Sequence, residues 1–123
     1  MLKVHTTKLG NVAVLCLEGK IVRGETETLR RAVLTQVDAS VVVLDLARVD
    51  TIDAGGLGVL LASRKETQSK GIEFRLINVT KLVRQVLEIT RLDSVFEVTS
   101  GANVLAARSV GRMSSVLELA ACA

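Results

Sequence analysis

The sequence predicts an α/β domain built on a mixed sheet. An alternating segment and an apolar run flank a glycine turn at the N-terminus, which reads as an antiparallel hairpin. Four consecutive β-formers, Val41 to Leu44, read as a central strand covered on both faces. From there, strand-like and helix-like apolar periods alternate along the chain. That alternation forces parallel pairing through right-handed crossovers.

Each element has its own warrant. Leu2, Val4 and Thr6 alternate with Lys3, His5 and Thr7, and Gly10-Asn11 marks a tight turn. Val12 to Leu17 is nearly all apolar, a strand buried on both sides. Gly19 and Gly24 bracket an irregular connection. From about Glu25, Leu29, Val33 and Val37 recur every four residues with Ala32 beside them, a helical stripe. Glu25 and Glu27 fall in its first turn, where the helix dipole favours carboxylates. The strand from Val41 ends at Asp45-Leu46, and residues 47–53 read as a loop. A helix then runs to about Lys70 and stops at Gly71, apolar in its first half and polar in its second. Ile72, Phe74 and Leu76 alternate as the next strand. Thr80 caps a helix striped by Leu82, Val83, Val86 and Leu87. Val95 to Val98 reads as a short last strand, and Ala102 to Val110 as a helix.

The chain of 123 residues is one domain by size, placed at residues 1–110. Val110, Met113, Leu117 and Ala121 extend an apolar stripe into a tail, residues 111–123, which reads as a further helix, a frayed end or a contact. Net charge is +3 with scattered Lys and Arg, and Phe74 and Phe96 are the only aromatics. Nucleic-acid binding is disfavoured on both counts. No run of 18 apolar residues suggests a membrane span, and the N-terminus lacks the apolar run of a signal peptide. A cytoplasmic protein, monomeric or weakly dimeric, is the expectation. Two cysteines are too few for a disulfide framework; Cys16 reads as a core thiol and Cys122 has no assigned role. His5, the single histidine, reads as a solvated strand residue, so no metal site or His-dependent nucleophile is expected.

The informative segment is Asp45 to Leu61, where a strand leads into the glycine-rich start of a helix. A helix N-terminus presents unpaired N–H groups, and glycines let another backbone or an anion approach. Asp53 is placed as the N-cap. A dinucleotide fingerprint fails, because Leu61 stands where Gly or Ala is wanted, and no phosphate-loop Gly-Lys-Ser/Thr is present. Asp45, Asp50 and Asp53 raise a Mg²⁺ or acid–base cluster as a reading, but no companion base or nucleophile accompanies them. No cofactor and no catalytic residue is expected.

The run Asp45-Leu46, Val49, Ile52-Asp53, Gly56-Leu57-Gly58-Val59-Leu60 after a hydrophobic strand resembles the STAS domain, the fold shared by anti-sigma factor antagonists and the cytoplasmic regions of sulfate transporters. The resemblance extends from about Leu2 to Val110. It implies a mixed sheet with helices packed mainly on one face. It also implies a non-catalytic regulatory module that binds a kinase-type anti-sigma factor in partner switching. In that family the kinase phosphorylates a Ser or Thr directly after the motif aspartate, and the added charge of about −1.5 to −2 breaks the complex. Here Ala54 follows Asp53 and Gly55 follows Ala54, so the position has no hydroxyl. Thr51 is the nearest one, a substitute acceptor or a loop hydroxyl. The expected binding surface comprises residues 20–24 with Arg23, the turn from Asp50 through Thr51, Asp53, Ala54, Gly55, Gly56 and Leu57 to Gly58, and a helix rim with Arg64, Lys65 and Gln68. The alternatives are a STAS accessory subunit of an ABC-type lipid transporter, and a nucleotide-sensing STAS domain using the helix N-terminus for phosphate.

Overall fold

A computed structural model describes residues 2–92, 94–96 and 98–99. The elements run β1 (Lys3–Leu9), β2 (Val12–Ile21), α1 (Thr26–Leu34), β3 (Val41–Ile52), α2 (Ala54–Ser69), β4 (Glu73–Ile77), α3 (Lys81–Ile89) and β5 (Val98–Thr99). The strands lie in the order β1-β2-β3-β4-β5, with β1 antiparallel to β2 and every later pair parallel. This is the expected mixed sheet.

The order decides where the helices go. The crossovers through α1, α2 and α3 all step the same way across the sheet, so right-handed connections put all three on one face. The core agrees. Ala13, Leu15, Leu17, Val42, Leu44, Leu46, Phe74 and Leu76 join Leu29, Val33, Leu57, Leu60, Val83 and Leu87 in a single cluster. Burying each large side chain there contributes about 1.5–3 kcal/mol. Phe96 adds to it, its ring 6.2 Å from that of Phe74. Val12, Val14, Val41, Val43 and Ile77 alternate with those strand residues and so lie on the opposite face, where they too are buried. Cys16 is buried on that face. His5 is exposed, as expected.

Several boundaries differ from expectation. Residues 47–52 are not a loop: β3 continues to Ile52, and β2 continues past Leu17 to Ile21 as its partner. The register shifts between Cys16 and Glu18 and again between Gly19 and Lys20. These bulges break the two-residue period that would have marked the strand. Gly19, at φ 108°, supplies backbone that other residues resist. α1 ends at Leu34, so Val37 leaves the stripe and is 63% exposed, while Gln36 is buried instead. Leu82 likewise leaves the α3 stripe and is exposed. The last strand is Val98–Thr99 rather than residues 95–98, because Val95 and Phe96 donate their amides back to the Leu92 carbonyl in a turn. The helix expected over residues 102–110 and the tail 111–123 lie outside the described residues.

Candidate functional site

The site forms where β3 enters α2. Asp53, in extended conformation, is the N-cap of α2, and its carboxylate accepts from the Gly56 amide at 2.8 Å. The same carboxylate accepts from the Arg23 amide, at 3.2 and 3.1 Å to its two oxygens. In return the Asp53 amide donates to the Ile21 carbonyl at 3.3 Å. One side chain therefore ties the segment after β2 to the start of α2. The Gly56 and Arg23 amides, with a smaller contribution from Gly55, hold the Asp53 carboxyl below its ordinary value of 3.8.

The glycines are there for contact between backbones. A Cβ on Gly56 would stand 1.9 Å from the Ile21 carbonyl oxygen, and one on Gly55 would meet Arg23 at 3.1 Å. Gly56 is buried and Gly55 half-buried. The expected bare cluster of amides is thus partly walled in. Asp53 already accepts from the Gly56 amide, one of the N–H groups at the start of α2. What stays open is Asp53 itself, Ala54, Gly58 and Arg23, all exposed, with Thr51 half-buried beside them.

The remaining expected residues divide. Thr51 stands in β3, paired with Lys20, rather than in a loop. Leu57 is buried and anchors α2 in the core. Lys65 and Gln68 are exposed, but Arg64 is half-buried, and Ser63 and Thr67 are buried; the second half of α2 is therefore only partly solvated. Asp45 is not at a strand end but inside β3, nearly fully buried, where it accepts from the Ala47 amide at 3.0 Å and from Asn78 Nδ2 at 3.2 Å. Its bonds join β3 to the segment after β4. Among the described residues no three His, Cys, Asp or Glu side chains gather as a metal site, and no helix is long and apolar enough to cross a membrane. Sequence reasoning missed the role of the Arg23 amide and the Ile21 carbonyl. The paired glycines signalled a close approach, but nothing in the sequence named the backbone that would approach.

The STAS domain model matches residues 3–106, and the chain belongs to that family. The Bordetella bronchiseptica protein BtrV, named as an anti-sigma factor antagonist, is 32% identical over 108 residues, which cover 86% of this chain and 93% of BtrV. The fold is also that of the anti-sigma factor antagonist SpoIIAA in its unphosphorylated form, with a TM-score of 0.72 at 17% identity over 88% of this chain and 98% of that one. An anti-sigma factor antagonist from Mycobacterium paratuberculosis gives 0.70 at 23% identity over 80% and 85%. The chain is thus an anti-sigma factor antagonist-like STAS domain.

Proposed function

We propose that this chain is a non-catalytic binding module that engages a kinase-type anti-sigma factor and is not released by phosphorylation. The binding surface is the open part of the β3–α2 turn: Asp53, Ala54 and Gly58, with Arg23 beside them and Thr51 and Arg64 at its margins. The observation that carries the reading is Ala54. It is the first residue of α2, exposed, and follows the N-cap aspartate directly. A methyl group there accepts no phosphate, so the negative charge that would repel a partner cannot be installed. Thr51 is a poor substitute, since it is held in a strand ladder opposite Lys20. The rigid staple between Asp53 and Arg23 supports the same reading, because a surface fixed before binding loses less entropy on docking.

The experiment is a binding titration with the kinase-type anti-sigma factors of the source cell, with and without ATP. The chain is expected to bind one of them equally in both conditions. Ala54→Ser is expected to take up phosphate and to lose the partner when ATP is present. Failure to bind any such factor would overturn the assignment. ATP-driven release of the parent chain, with phosphate on Thr51, would overturn its unswitched form.

A further inference from the structure

α3 carries an apolar stripe that the core does not use. Leu82 is 48% exposed, and Ile89, the most exposed large hydrophobic side chain among the described residues, is 81% exposed. Seven residues make about two helical turns, so the two stand on one face of the helix, roughly 10 Å apart. Half-buried Val86 lies between them and leans on the core. Val83 and Leu87 take the core side and are buried. We propose that this face docks on the same face of a second copy of the chain, with the two α3 helices antiparallel.

The charges beside the stripe select that occupant. Lys81 and Glu88 are exposed, and each stands one position before one of the two apolar residues. They repeat the same spacing, so they flank the stripe on one side. Neither makes an ion pair among the described residues. An acidic partner laid along the stripe meets Glu88, and a basic one meets Lys81, like charge against like in both cases. A copy turned end for end satisfies both. Leu82 of each copy lies against Ile89 of the other, and Lys81 of each approaches Glu88 of the other. Exposed Gln85 falls near the centre, where its amide can donate to its counterpart and accept from it. Two turns of helix per copy make a contact well below the roughly 1,200 Å² of a stable interface, so the pair forms only at high concentration. The contact uses no residue of the β3–α2 turn; it goes beyond the partner reading and does not rest on it.

Sedimentation of the full chain tests the contact, with a dimer dissociation constant of roughly 0.1–1 mM expected. Ile89→Glu is expected to weaken the dimer at least about tenfold. It should leave the melting temperature close to that of the parent, because the side chain is exposed. Lys81→Glu and Glu88→Lys are each expected to weaken the dimer, and the double variant is expected to restore it, since it exchanges the two ends of each pair. A chain that stays monomeric to 1 mM overturns the proposal. If the monomer's affinity for an anti-sigma factor also falls with Ile89→Glu, the face belongs to that partner instead. A dimer that Ile89→Glu leaves intact overturns the proposal by placing the contact on another face. A double variant no tighter than either single one overturns the antiparallel arrangement.

Discussion

α2 and α3 begin with the same local device and end up with different duties. Asp53 accepts from the amide three residues on at 2.8 Å, and Thr80 does the same from Val83 at 3.3 Å. Each satisfies an amide that the helix leaves unpaired. Thr80 stops there. Asp53 also accepts from Arg23, thirty positions earlier in the chain, and Gly55 and Gly56 admit the backbone of that segment. The lesson is that capping alone makes a helix start, whereas capping with a carboxylate beside glycines can make a composite surface. A hydroxyl offers one short reach; a carboxylate has two oxygens and can bridge two parts of the fold.

The sharpest way to break this comparison is at Gly56. Gly56→Ala drives a methyl into the Ile21 carbonyl, and the backbone there cannot swing aside as a side chain would. A loss of about 3 kcal/mol or more is expected, read by urea denaturation. Next come the caps. Thr80→Ala should cost about 1 kcal/mol, a fall of a few degrees in melting temperature. Asp53→Ala should cost more than Thr80→Ala, because it also strips the Arg23 amide of its acceptor. Equal losses would show that the bridge to Arg23 contributes nothing.

Acid sharpens the same contrast. The Asp53 carboxyl is held below 3.8 in the native chain, so its contribution is fully present above about pH 4. It fades as pH falls through the lower native value. The parent chain should therefore lose this contribution in that acid window, while Asp53→Ala, which lacks it, should show a shallower descent. The smallest effect has the opposite sign. A Cβ on Gly58 meets nothing within 4 Å, and the residue is exposed inside α2. Gly58→Ala should raise stability by about 0.5–1 kcal/mol.

Regular periods were legible in the sequence. The Val12–Leu17 and Val41–Leu44 runs, the Asp53 and Thr80 caps, and the Val83–Leu87 stripe all stand where the residue pattern put them. Irregular pairing was not. Residues 47–52 look like a loop because β3 meets β2 through two register shifts, which scramble the alternation of apolar and polar side chains. Val37 extends a four-residue spacing by chance, and the chain leaves the helix before reaching it. At the site, Asp53 and the glycines were readable by type. Their partners were not, because the Arg23 amide and Ile21 carbonyl belong to the backbone, which looks the same under any side chain.

The strand order also bears on how the domain assembles. Every strand pairs with the one made just before it, so no strand must wait for a later neighbour to be inserted between it and an earlier one. As the polypeptide leaves the ribosome, each new strand–helix unit meets an edge already formed. The loops to be closed stay short relative to the chain, which limits their entropic cost. Growth can therefore proceed from the N-terminal hairpin outward, one unit at a time, during synthesis.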